Sequence, residues 1–219
     1  MTSMSHLAWI PAAAVLGFFV SFTFGDLITL PVDLYYLIYF AIVFWLFALY
    51  VQRTELDLQA LVLRRLLWGI VLGVLGGGVL ILGILAHPKT AKLSGGMLWW
   101  ALFWRGLVYG TVDGLLLLSF PWVVVWRAFR AEQRGPATRV AAGVVAWLAV
   151  LVVTTAYHFG YGDFRSRKIV QPNMGAAIGA MPTLLAANPM ASAISHVFLH
   201  VSAVLHAPET DLFLPPHRE

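Results

Sequence analysis

Apolar runs long enough to cross a bilayer follow one another along almost the whole chain, and this constrains the fold more than any other feature. Divided at glycine, proline and charge clusters, they predict spans near Leu7 to Phe24, Leu34 to Val51, Leu66 to Leu85, Met97 to Trp126, Val140 to Tyr161, Met174 to Ala187 and Ala191 to His206. A hydrocarbon core of about 30 Å needs roughly 20 apolar residues per helix, so seven spans use about 140 positions. The chain has 219 residues, 60% hydrophobic and 11% charged, whereas about one quarter of a soluble domain is charged. The expectation is an all-α, polytopic integral membrane bundle of six to seven transmembrane helices. It forms a single membrane-embedded domain over 1–219, with a core site region at 97–207 and a short tail at 208–219. The sixth span is short and carries Pro182, which suggests a half-helix or re-entrant piece surrounded by protein rather than lipid.

The net charge of +4 does not point to nucleic acid, because most Lys and Arg residues flank apolar runs instead of forming one basic stripe. Loops carrying Arg53, Arg64, Arg65, Arg127, Arg130, Arg134 and Arg139 are expected in the cytoplasm, with Asp26 and Asp33 outside. This makes a multi-pass protein of the cell membrane with a cytoplasmic N-terminus, although Lys89, Lys92, Arg165, Arg167 and Lys168 fall on the outer side. The opening segment lacks the positive start of a signal peptide and reads as a retained first span. Thr54-Glu55-Leu56-Asp57 reads as a helix N-cap opening a segment that includes Arg64 and Arg65 and continues into the third span. In the tail, Pro215-Pro216 is expected to stiffen the chain beside Leu212, Phe213 and Leu214.

Glycines recur at four-residue spacing: Gly69, Gly73 and Gly77; Gly106, Gly110 and Gly114; Gly175 and Gly179. Each set makes a groove for close helix approach, expected to be used within the chain. The sequence contains no cysteine, which excludes disulfides, thiolate catalysis and iron–sulfur clusters, so any metal must be held by His and carboxylate.

Of the ten acidic residues, only Asp113 lies deep inside an apolar run. An ionised acid in hydrocarbon costs about 2.5–3.5 kcal/mol even on lenient scales, so it must face the bundle interior and find a partner. Arg105 is an awkward one, about 12 Å away along the helix axis. His196 and His200, four residues apart, stack on one helical face, a simple two-ligand arrangement for a zinc-like ion. His158 ends the fifth span, one turn after Thr154 and Thr155. Asp113, His158, His196 and His200 occupy three helices that can converge. Together they offer a ligand set for Zn2+, or a metal-free site in which Asp113 activates water and imidazoles stabilise the oxyanion.

The stretch from Asp113 to His206 resembles the core of the CPBP family, the CAAX-protease and bacteriocin-processing intramembrane proteases also called the ABI family. There Glu-Glu-x-x-x-Arg, Phe-x-x-x-His and His-x-x-x-Asn follow in order, where this chain has TVDGLLL, TTAYH and HVFLH. The resemblance implies that Asp113 is the water-activating acid and that His158 and His196 are the family histidines. The chain departs from the pattern at Val112, Leu117, Thr154 and His200. SHVFLH with a further His is also similar to the last helix of the progestin/adiponectin-receptor and alkaline-ceramidase proteins, which implies a zinc-dependent lipid amidase. The leading expectation is a membrane hydrolase, peptidase-like, acting on a membrane-embedded peptide or lipid amid membrane lipids. The alternatives are a lipid amidase, a structural polar knot, or a b-type haem held between His158 and a late His.

Overall fold

Hydrocarbon offers no partner to a backbone amide, so an apolar run satisfies its own hydrogen bonds by coiling. In the computed structural model, which describes residues 2–210 and Leu214, the chain is all-α, with no strand among the described residues. Its helices are α1 (Ser3–Leu27), α2 (Val32–Thr54), α3 (Leu58–Leu63), α4 (Leu66–Leu85), α5 (Gly95–Ala128), α6 (Pro136–Phe159), α7 (Val170–Ala186) and α8 (Met190–His206). Five of these, α1, α2, α4, α5 and α6, are long and apolar enough to cross a membrane. Both α7 and α8 have 17 residues, about 25 Å at 1.5 Å per residue. They form a hairpin through Ala187, which takes a left-handed conformation at φ 50°.

The expected sixth span is therefore short, but Pro182 does not interrupt it. The ring of Pro182 sits where a side chain on Gly76 of α4 would be. The expected helix start at Thr54 is corrected. Thr54 ends α2, Glu55 is left-handed, and Asp57 is the cap of α3, accepting a hydrogen bond from the Ala60 amide at 2.9 Å. Nor does one helix run through Arg64 and Arg65. The chain breaks there, with Arg65 at φ 57°, because the buried Asn188 amide donates to the carbonyls of Val62 and Arg64 at 2.9 and 2.7 Å. The expectations for Leu212, Phe213, Pro215 and Pro216 lie outside the described residues, while Leu214 packs on Ala101 and Val204.

Two of the glycine sets seat α8. A side chain on Gly69, Gly73 or Gly77 of α4 would strike Asn188, Ile194 or Phe198, and one on Gly106, Gly110 or Gly114 of α5 would strike Val201, Val197 or His196. So α8 lies between α4 and α5 at main-chain distance, and the grooves are used within the chain. Along α5, wider π-type turns at Leu102–Val108 and Leu115–Ser119 flank the α-helical turn Tyr109–Gly114. Each wide turn takes up an extra residue, so glycines four apart fall closer to one line, and such turns often accompany functional positions.

A Cβ added to Gly114 would lie 2.8 Å from His196 Cβ and 3.2 Å from Ala193 Cα, so α5 and α8 would have to separate. Gly114→Val is expected to destabilise the bundle by about 1–3 kcal/mol, read as a lower unfolding temperature in detergent.

Candidate functional site

The face of α8 that carries His196 and His200 and the glycine face of α5 meet at Asp113. Its Oδ2 accepts a hydrogen bond from His196 Nε2 at 2.8 Å and lies 3.5 Å from His200 Nε2. Its Oδ1 accepts from the Tyr39 hydroxyl of α2 at 2.8 Å and from the Tyr109 hydroxyl, one turn earlier on α5, at 3.4 Å. The carboxylate is thus divided, one oxygen turned to imidazoles and the other to phenols. All five of these side chains are buried.

Asp113, His196 and His200 each offer a ligand atom, and these atoms lie within 4.8 Å of one another, so the group could hold a metal ion. Neither ring nitrogen of the buried His200 has a hydrogen-bond partner among the described residues. A buried imidazole with two idle nitrogens is unfavourable as pure structure, and ligation would use one of them. The ring packs edge-on to Tyr109, with centroids 4.9 Å apart. Arg105 does not reach Asp113. It pairs with Asp33 at 3.2 Å, where Trp100 also donates.

His158 stands apart from this trio. It is not a member of the group that fits a metal ion, yet it lines the same cavity of about 80 Å³ as Asp113, His196 and His200. Its Nδ1 is 2.9 Å from the Thr154 carbonyl, which can only accept, so Nδ1 carries the hydrogen and Nε2 of the neutral ring has the lone pair. Tyr157 and Phe164 hold the ring edge-on from either side. Thr154 also lines the cavity, and its Oγ1 is buried without a partner among the described residues. The cavity has room for a few waters or the reacting atoms of a larger molecule, not for a porphyrin between His158 and α8. Gly175 of α7 forms part of its wall with nothing within 4 Å of an added Cβ, and Gln171, Pro172 and Phe164 extend it toward the α6–α7 connection. That connection thus takes part in the site.

His206 lies off the shared face, as its position in the helix requires, and its Nε2 donates to the His87 carbonyl at 2.8 Å. The tyrosines are what sequence reasoning missed. Beyond Tyr39 and Tyr109, the hydroxyl of Tyr157 touches those of Tyr109, Tyr35 and Tyr161 at 2.8, 2.9 and 3.1 Å. A usable signal existed, since Tyr35 and Tyr39, and Tyr109 and Asp113, are each four residues apart and therefore share a helix face.

No family model matches the chain, and no curated protein or solved structure matches it either.

Asp113→Ala would leave the donors Tyr39, Tyr109 and His196 without their acceptor in a buried setting. At about 1–3 kcal/mol per orphaned donor, the expected loss is at least ~2 kcal/mol, visible as a lower melting temperature. Asp113→Asn, which retains an accepting oxygen toward the tyrosines, should unfold within a few degrees of the parent.

Proposed function

We propose that this chain is a multi-pass integral protein of the cell membrane, with its N-terminus in the cytoplasm, that hydrolyses a membrane-embedded peptide or lipid and is a divergent relative of the CPBP intramembrane proteases. The observation that carries this reading is the convergence of Asp113, His196 and His200 beneath a cavity that His158 also lines. The order of Asp113, His158 and His196 along the chain, matching that of the CPBP motifs, supports the kinship. An intramembrane carboxylate is a functional group by default, since structure alone rarely compensates its desolvation.

In this reading Asp113, His196 and His200 would hold Zn2+, the fit resting on their spacing and on the idle nitrogens of His200. Zinc, when bound, supplies a Lewis acid that polarises a carbonyl and makes water acidic. The chain's own residues do the rest. His158, with its Nδ1 hydrogen committed to Thr154, keeps an Nε2 lone pair that accepts the proton of an attacking water and returns it to the leaving group. Thr154, with its unpartnered hydroxyl, orients the scissile group or the water in this reading. Leu117, Leu118, Leu199 and Ala176 keep the cavity apolar, which suits a substrate drawn from the bilayer.

A second reading is favoured by one distance. The 2.8 Å contact from His196 to Asp113 is a complete hydrogen bond without a metal, and Asp113 would then act as the base itself.

Metal analysis of the purified protein separates the two. One zinc per chain, lost in His200→Ala, is expected for the zinc site, and parent protein that hydrolyses without bound metal would require the second reading. In either case Asp113→Asn is expected to lower hydrolysis of a membrane peptide or lipid amide by about 10²–10⁴-fold while remaining folded. An equally active, folded Asp113→Asn variant would overturn the hydrolase assignment. Gly175→Leu, which puts a side chain into the open space on the cavity wall, is expected to raise KM or abolish turnover without displacing zinc, checked by kinetics beside metal content.

A further inference from the structure

The proposed site leaves one buried assembly unused, the five tyrosine hydroxyls behind Asp113. Four come from three helices, Tyr35 and Tyr39 on α2, Tyr109 on α5 and Tyr157 on α6, and Tyr161 lies just past the end of α6. Tyr39 and Tyr109 donate to Oδ1 of Asp113, Tyr157 joins Tyr109, Tyr35 and Tyr161, and Tyr161 donates to Tyr35 at 2.6 Å. A phenol is a costly way to fill hydrocarbon, because each hydroxyl must be paired or lose its hydration unrepaid. Phenylalanine would pack the same space. The hydroxyls are therefore best explained by what they hold, and two of them hold the Asp113 carboxylate.

We propose that Tyr39 and Tyr109 are positioning residues of the cation site, which clamp Oδ1 of Asp113 so that Oδ2 alone is presented to the gap between His196 and His200. The inference rests on the zinc reading above. A carboxylate free to rotate about its Cβ–Cγ bond would offer either oxygen, or both, to a cation. Here two donors from the opposite side fix that rotation, Tyr39 at 2.8 Å more firmly than Tyr109 at 3.4 Å. Tyr157 anchors the clamp in turn. Tyr109 has one hydroxyl hydrogen and two neighbours for it, so it directs that hydrogen either to Asp113 or to Tyr157, 2.8 Å away. Tyr39 has no such competitor, its hydroxyl going to Asp113. The clamp thus has a fixed arm and an adjustable one. Partners that orient a metal ligand in this way typically matter by about 10–100-fold in affinity.

The test uses the full chain in detergent or nanodiscs, with Zn2+ competition titrations and Co2+ absorption spectra on the parent, Tyr39→Phe, Tyr109→Phe and Tyr50→Phe. Tyr50 is the control, a buried tyrosine bonded to His6 away from Asp113. Tyr39→Phe is expected to weaken Zn2+ binding by about 10–100-fold and to alter the Co2+ ligand-field bands, Tyr109→Phe to do the same more weakly, and Tyr50→Phe to change neither. Melting curves of the metal-free proteins separate this from a packing defect. A Tyr39→Phe protein with a lowered melting temperature but the parent's zinc affinity and cobalt spectrum would overturn the proposal, and if that variant cannot be isolated folded, the same result for Tyr109→Phe overturns it. A parent that binds neither metal would instead overturn the zinc reading itself, so the two failures are told apart.

Discussion

A negative charge inside an apolar bundle has few tolerable environments, and the arrangement around Asp113 meets that constraint with side chains from two other helices and from its own. Imidazoles from α8 take one oxygen and phenols from α2 and α5 the other. Each partner requires its helix to sit at a particular depth and rotation, so a single carboxylate sets the register of α2, α5 and α8 together. The glycine grooves are the complementary device. They bring α8 close enough to α5 for a short imidazole-to-carboxylate contact, where larger residues would hold the backbones apart.

Much of this architecture could be read from the amino-acid order, because the rules of the bilayer are few. The third run, Leu66 to Leu85, coincides with α4, and the others agree with their helices to within a few residues. The glycine sets on α4 and α5 predicted intrachain grooves, which is what they are. Asp113 stood out as the one acid no loop could explain, and the four-residue spacing of His196 and His200 put both rings on the face that meets it.

What escaped the sequence is three-dimensional in origin. Whether His158 reaches the same point as His196 depends on how α6 crosses α8, which no periodicity encodes. It lines the cavity but lies outside the trio that fits a cation. The tyrosines were overlooked because an aromatic in an apolar run reads as packing, and only the meeting of α2, α5 and α6 turns their hydroxyls into a network. The break at Arg64 and Arg65 was likewise invisible locally. It is held by Asn188, more than one hundred residues further on, whose amide takes up the carbonyls that a continuous helix would have used.

The seating of α8 also bears on timing during synthesis. Histidines 196 and 200 emerge from the ribosome after every other side chain that touches the carboxylate, so a nascent chain carries the acid and its phenols long before it carries an imidazole pair. Until the final described helix slides into the slot left by the two glycine tracts, the polar centre is incomplete. Assembly of the fold and completion of the buried acid–imidazole cluster are then one event.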